Sequence, residues 1–530
     1  MKKYKIYIAA LLLFSAGACK KSFLDAEDVT TASEQNFYRT PADASLALIG
    51  CYDGLQRVWA DGIALPLAAE VMSDNAFGGV GNSDGFNFQM LDEFDRFRSP
   101  SDQNLFNANW AAYYRAIYRC NMLIGKIDQV EWSGNDELKR RTEAEAKFIR
   151  AYLYFDMVRL WGNVPLVTEP TKDNVPQASA DDVYKLIAAD LKFAASNLAS
   201  VSYTAQAPAT YGRVTKWAAE ALIGRVFLYY TGYYGKSDLA GEISKAQALA
   251  YLEDVISNGG FGLVDNFAHL WPAASGTSYA GEDNKETVFA IKYTYTSDYN
   301  GNTDGNHWLV MYGIREQTIA PYGLGWGGAT VNPKLWSAYG AGDTRRNATI
   351  ISIADENLDF QMRDRQREYT GYYNKKYTPM ADANGNSTAV NAGGVNFMIG
   401  QYQDYVSIRY ADVLLMAAEL GAAGAQNYFD DVRRRAYGGS FTSLTVSQDN
   451  IMKERRLEFA MEGLRYWDLM RQGIDVAAAT IAESTNLLNG GVSTPKIIDA
   501  TKIKETKGLQ QIPYAEVTLS GGVLKQNTGW

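Results

Sequence analysis

The stretch from Arg141 to Pro170, RTEAEAKFIRAYLYFDMVRLWGNVPLVTEP, restricts the fold more than any other part of the chain. Glu143 and Lys147 stand four apart, in the order that favours an exposed helical pair. From Phe148 onward the apolar residues leave no polar stripe: Phe148, Ile149, Tyr152, Leu153, Phe155, Met157, Val158, Leu160 and Trp161 surround the helix axis. A helix that is apolar on every side has to be enclosed by more than one neighbour. Gly162 supplies the stop and Pro165 prevents a restart. The spacing predicts an inner helix around which others stack. Arg150, Asp156 and Arg159 are charges in this apolar setting. Asp156 and Arg159 are three apart and able to pair, so internal pairing accounts for them, with a binding site as the alternative.

The N-terminus has the three-part pattern of an export signal: Lys2, Lys3 and Lys5, an apolar run from Ile6 to Phe14, then small residues up to Ala18. The run is shorter than the roughly 20 apolar residues that span a bilayer. Cys19 follows at the expected cut, as in the cleavage-and-lipidation box of bacterial lipoproteins, although Ala16 stands where Leu is commoner. An acylated Cys19 anchors a chain without spanning the membrane; the alternative is a secreted protein in which Cys19 is incidental. The net charge is −9. Removing residues 1–18, which hold three Lys and no acid, leaves 48 basic against 60 acidic residues, or −12. An acidic body argues against nucleic acid as a partner. Cys51 and Cys120 lie in helical patterns without metal spacing; they fit small buried hydrophobes, and a bridge between them is the other reading. His269 and His307 are the only histidines, too sparse for a usual metal or triad site.

The pattern divides the mature chain into a tether (19–39), a helical part (40–259), a loop-rich subdomain (260–405) and a second helical part (406–530). Thr40 and Pro41 open the first helix, to about Trp59. Further helices are expected at 103–128, 136–161, 181–199, 213–234, 243–258, 406–423, 425–436 and 446–472. Ala218, Ala219, Ala221 and Gly224 let the 213–234 helix approach 243–258 closely, as in a tetratricopeptide (TPR) hairpin, although no clean 34-residue period is visible. In 260–405 Tyr, Gly, Asn and Trp dominate, and residues 288–295 form the best strand. A long stretch with few regular elements is usually functional. The final residues read as a polar extended tail.

Few motifs carry chemistry. Gly323, Gly325, Gly327 and Gly328 around Trp326 superficially resemble a phosphate loop but lack the strand, helix and Lys-Ser/Thr context; a flexible loop presenting Trp326 fits better. Asp382, Asn384 and Asn386 have the spacing that opens a calcium loop without its Gly and late Glu; they read as a turn, with calcium as the minor option. The Glu454, Glu458 and Glu462 row reads as a solvated or internally paired face, against a carboxylate site. What stands out is aromatic residues set among Asn, Asp and Gly. One cluster is Asp74, Asn75, Phe77, Phe86 and Phe88; the other is Tyr293, Tyr295, Tyr299, Trp308, Tyr312, Tyr322 and Trp326. Aromatic faces can cover the C–H side of a sugar ring while polar neighbours bond its hydroxyls, and loops carry function disproportionately. The alternative is loop packing.

Six stretches, in order, resemble the SusD/RagB family of outer-membrane nutrient-binding lipoproteins. They are AEAKFIRAYLYFDMVRLWGNVPLV (144–167), KWAAEALIGRVFLYY (216–230), IRYADVLLMAAEL (408–420), VRRRAYGG (432–439), ERRLEFAMEGLRYWDLMRQG (454–473) and LQQIPYAEV (509–517). Cys19 also fits. Gln511 departs where another Pro is common, as does the Thr528-Gly529-Trp530 close. The resemblance implies a mainly α, TPR-like scaffold bearing an irregular subdomain with a few short strands. It implies an outer-membrane lipoprotein facing the exterior that binds an oligosaccharide, or in some members a peptide, and partners a SusC-like TonB-dependent transporter. It implies no catalysis and no cofactor; a carbohydrate-active enzyme and a protein-binding TPR scaffold are the other classes. By position it puts the ligand at Asp74, Asn75, Phe86 and Phe88 and at Tyr299, Trp308, Tyr322 and Trp326.

Overall fold

The computed structural model describes residues 37–82, 84–95, 105–362 and 366–530. Cys19, the signal and most of the tether lie outside the described residues. Thr40 caps the first helix, α1 (Pro41–Arg57), in a reciprocal box: the Asp43 amide donates to Thr40 Oγ1 at 3.2 Å, and the Thr40 amide donates to Asp43 Oδ2 at 2.8 Å. The short α2 (Leu65–Val71) and α3 (Asn87–Asp92) follow. The long helices come next: α4 (Asn107–Lys126), α5 (Asp136–Trp161), α6 (Ala180–Asn197), α7 (Lys216–Tyr234) and α8 (Lys245–Asn258). After the irregular region come α9 (Tyr410–Leu420), α10 (Ala425–Tyr437), α11 (Gln448–Phe459) and α12 (Arg465–Met470).

The inner helix is α5. Every residue from Phe148 to Trp161 is buried, and α5 packs against α1, α4 and α6. Asn135 caps its start and Gly162, at φ +70°, ends it. Trp161 meets Phe106, Trp110 and Tyr113 edge-on, with ring centroids 5.0–6.3 Å apart, a geometry that adds about 0.5–1.5 kcal/mol per pair beyond burial. Its charges pair internally. Arg150 donates from Nε and Nη2 to both oxygens of Asp190, at 2.8 and 2.9 Å. Arg159 donates to Asp156 at 2.6 Å, and Asp156 also accepts from Tyr113. Successive pairs α5–α6, α6–α7, α7–α8, α8–α9 and α9–α10 pack side by side, giving a mainly α, TPR-like stack. The close approach expected at Gly224 is present: a Cβ there would fall 2.6 Å from Leu252 of α8. Among the described residues no helix is long and apolar enough to cross a membrane.

The strands that frame the candidate site are short: β1 (Ala76–Gly79), β2 (Thr287–Ile291), β3 (Ile314–Arg315), β4 (Leu324–Gly325), β5 (Gly328–Val331), β6 (Tyr405–Arg409), β7 (Glu483–Asn489) and β8 (Val492–Ile498). Pairing is antiparallel for β1–β5, β2–β6 and β7–β8, and parallel for β3–β4. Three expectations change. The helix expected from 406 begins only at Tyr410, because residues 405–409 pair with 287–291. The helix expected over 446–472 breaks between Phe459 and Arg465. There Met461 and Gly463 take positive φ, the Gly463 amide donates to Glu70 at 2.7 Å, and a Cβ on Gly463 would lie 2.5 Å from Pro66 Cα. The tail is not extended throughout: Tyr514–Leu519 is helical, and the Gln510 amide ties the tail to the Leu160 carbonyl at 2.8 Å.

The Glu454, Glu458 and Glu462 row is internally paired and buried. Arg345 donates to Glu454 and Glu458, Arg409 to Glu286, Glu458 and Glu462, and Lys376 to Glu462. Burial opposes ionisation of Glu458, yet Arg435, Arg409 and Arg345 hold its carboxyl well below the usual range. The same burial depresses Lys376 to about 8. This network joins α11 to the irregular region.

Candidate functional site

The two aromatic loops of the sequence, more than 200 positions apart, meet through one strand pair. Ala76, Phe77 and Gly79 of β1 face Val331, Thr330 and Gly328 of β5, and the Val80 amide donates to the Gly327 carbonyl at 2.7 Å. Trp326 leads into β5, and Phe86 and Phe88 follow β1. Gly79 sits at φ +73°, and a Cβ there would lie 2.3 Å from the Gly327 oxygen, so only glycine permits this crossing. The stretch around Trp326 is therefore not a flexible loop. Residues 324–325 and 328–331 are strands, and the Trp326 amide donates to Val310 and Tyr312.

Two arginines fix the loop that bears Phe86. Arg315 Nη1 donates both to Asp84 Oδ2 at 2.7 Å and to the Trp326 carbonyl at 3.1 Å, so one nitrogen holds the two loops side by side. Arg367 donates to the carbonyls of Asn82, Asp84 and Gly85, at 2.8, 3.1 and 3.1 Å. Its Cζ lies 4.0 Å from the Phe86 ring centroid, a cation–π stack. Both guanidinium groups are buried, whereas Phe86 is 51% exposed. Phe88 and Trp326 are half-buried, and Asn82, Asp84 and Asn87 are exposed. The result is an aromatic surface rimmed by carbonyls, amides and carboxylates. It offers stacking and hydrogen bonds.

The other expected site residues divide. Asp74 does not face solvent: it is buried and ion-paired with Arg465 at 2.7 Å and Arg456 at 2.9 Å. Burial opposes its ionisation, but the two guanidinium groups hold its carboxyl below the usual range. Asn75 is also buried, donating to Glu70 and accepting from Arg456. Phe77, Tyr293, Trp308, Tyr312 and Tyr322 are buried too. The Trp308 indole donates to Tyr293 and the Tyr322 hydroxyl to Glu356. These residues are packed inside and offer no face to a ligand. Tyr299 is 67% exposed and accepts from Asn396 at 2.7 Å, and Tyr295, also exposed, meets Tyr402 edge-on. They form a second exposed aromatic group, between loops 294–304 and 393–402. Arg315, Arg367, Tyr402 and Asn396 escape a reading of the sequence, since nothing local marks an arginine as the keystone of a loop far away.

Asp382 spends its carboxylate within a turn, accepting from the Asn384 and Asn386 amides and from the side chains of Asn386 and Asn391. Among the described residues, one group of carboxylates is close enough to share a cation, Asp92, Glu93 and Glu368, and Lys496 Nζ lies against all three.

Comparison with known proteins agrees with this architecture. Residues 356–530 match the SusD family model, and residues 67–228 match a SusD-like model described as starch-binding and associating with the outer membrane. A SusD-like protein of Bacteroides ovatus is 27% identical over 488 residues, covering 88% of this chain and 82% of the relative. SusD-like protein P2 of Formosa agariphila is 27% identical over 505 residues, covering 89% and 91%. Among solved structures, a laminarin-binding SusD-like protein is 28% identical with a TM-score of 0.74, covering 93% of this chain and 100% of that one. Surface glycan-binding protein A from Bacteroides fluxus, 24% identical with a TM-score of 0.75 over 93% and 100%, shares the fold. The chain is thus similar to SusD-like proteins along most of its length.

Proposed function

We propose that this protein is a lipid-anchored, outward-facing outer-membrane protein that binds oligosaccharides on the surface built by Phe86, Phe88 and Trp326, and passes them to a SusC-like TonB-dependent transporter. One observation carries the binding part: two loops remote in sequence are locked together by Arg315, and an exposed ring is held over Arg367 at their junction. A hydrophobic ring of this size left half in water, on a loop fixed by two buried arginines, is organised for contact with a ligand. Similarity to SusD-like proteins and the 28% identical laminarin-binding structure support a glycan as that ligand. Tyr299, on the second aromatic group, is a further exposed ring open to a ligand. The export pattern before Cys19 supports the anchor. The reading includes no catalysis.

The test is calorimetry of residues 20–530 with a panel headed by laminarin oligosaccharides and including xyloglucan and starch fragments. The wild type is expected to bind at least one member, and Trp326→Ala to abolish that binding while circular dichroism is unchanged. Binding retained in full by Trp326→Ala rejects the site. Shortened glycan chains after incubation reject the non-enzymatic reading. Co-purification of a transporter with the native protein tests the delivery step.

A further inference from the structure

Lys496 lies on β8, 128 positions from its acidic partner Glu368 and 404 from Asp92. Its ammonium is 2.6 Å from Asp92 Oδ1, 2.9 Å from Glu93 Oε1 and 2.5 Å from Glu368 Oε1, with the side chain 4% exposed. An ammonium has three N–H donors, and this one has three carboxylate partners. The remaining oxygens of two partners grip β1: Asp92 Oδ2 accepts from the Gly78 amide at 2.8 Å, and Glu368 Oε2 from the Gly79 amide at 2.9 Å. The Glu368 carbonyl accepts from Thr330 of β5 at 2.7 Å, and Glu368 adjoins Arg367, which stacks on Phe86. The β7–β8 hairpin is thus keyed into the point where both aromatic loops originate. The Glu368 amide donates to Asn489 and the Gly490 amide to the Gln366 carbonyl, which adds backbone ties from the same hairpin.

We propose that Lys496 is a positioning residue for the ligand surface: a tethered counter-ion whose grip on Asp92 and Glu368 fixes the strand from which the Phe86 loop departs. Two carboxylates this close repel unless a cation lies between them. Burial and the neighbouring Glu368 charge push Asp92 up to about 7 even with the lysine in place. At a pH high enough to keep both ionised, removing the lysine leaves buried like charges whose relief is to move apart, carrying Gly78 and Gly79 with them; at lower pH one carboxyl takes up a proton instead. A lysine that merely fills space would not have this dependence on charge. The proposal rests on the ligand surface described above, but its first readout needs no ligand.

The experiment is amide hydrogen exchange over residues 76–88, run at pH 9 so that Asp92 and Glu368 are both ionised. Lys496→Met is expected to speed exchange there about a hundredfold, because breaking a buried ion pair is strongly destabilising, while exchange in α5 stays slow. Adding Asp92→Asn to Lys496→Met removes one uncompensated charge and is expected to restore most of the protection. Affinity for laminarin oligosaccharides should follow the protection in both variants. Wild-type protection in Lys496→Met, or no recovery in the double variant, overturns the proposal. Should Lys496→Met fail to fold, folding regained in the double variant supports it and continued failure overturns it. A wild type that binds no glycan defeats the functional reading alone, since the exchange result still decides the role of Lys496.

Discussion

Arg367 does two things at once: it bonds three carbonyls of one loop and lies 4.0 Å beneath an exposed ring. Lysine keeps the charge but has no planar fork to serve carbonyls in several directions. Arg367→Lys is therefore expected to weaken glycan binding about tenfold, or about 1.4 kcal/mol, with little change in melting temperature; calorimetry beside a thermal scan checks it. Glu458 is the opposite kind of residue, fully enclosed and paired with Arg345, Arg409 and Arg435. Glu458→Ala leaves three guanidinium groups short of their partner and is expected to cost about 3–5 kcal/mol in urea unfolding. A loss below about 1 kcal/mol would mean that the network is solvated and redundant.

At the scale of elements, β1–β5 is four residues on each side, yet it sets the relation between the two aromatic loops. Gly79→Ala forces a side chain onto the Gly327 oxygen at positive φ. The expected outcome is a loss of about 1–3 kcal/mol together with weaker glycan binding, read by thermal unfolding and calorimetry on the same sample. The sequence patterns that report elements faithfully are the long periodic ones. Helices 216–234 and 245–258 are visible in apolar spacing and small residues. Residues 405–409 are not, because a short apolar run beside a helix has no period of its own. The β7–β8 hairpin is hidden for another reason: the buried face of β8 carries Lys496 while Ile497 is exposed, so burial there does not follow hydrophobicity. The break at 460–464 is decided by Pro66 and Glu70, nearly 400 positions away. The aromatic loops are legible as composition, and the family resemblance rests on motif order. What composition does not carry is direction, and Asp74, Asn75, Trp308 and Tyr322 point inward because partners distant in sequence claim them.

The whole molecule joins a rigid helical stack to an irregular region through buried charge, and that charge gives it a pH signature. Burial pushes Glu220 up to about 8 and Asp92 up to about 7, against about 4 for an unfolded carboxyl. A raised carboxyl contributes stability that is complete below its unfolded value and lost as pH rises through its folded value. Lowering the pH from 8.5 to 6.5 is therefore expected to raise the melting temperature, and Glu220→Gln to flatten the trend. Calorimetric scans check both, and a melting temperature that falls over this range contradicts them. Cys51 and Cys120 are buried free thiols, so a maleimide should leave both unlabelled in the folded protein and react with both after denaturation; a bridge would block the second labelling. The central claim is that a glycan lies on the surface joining the two aromatic loops. Its most direct test is isothermal titration of laminarin oligosaccharides into the wild type and Phe86→Ala. The expected result is measurable binding by the wild type and a loss of about 2 kcal/mol, roughly 30-fold in Kd, in the variant with its fold unchanged. Equal Kd values for the two proteins would contradict the account.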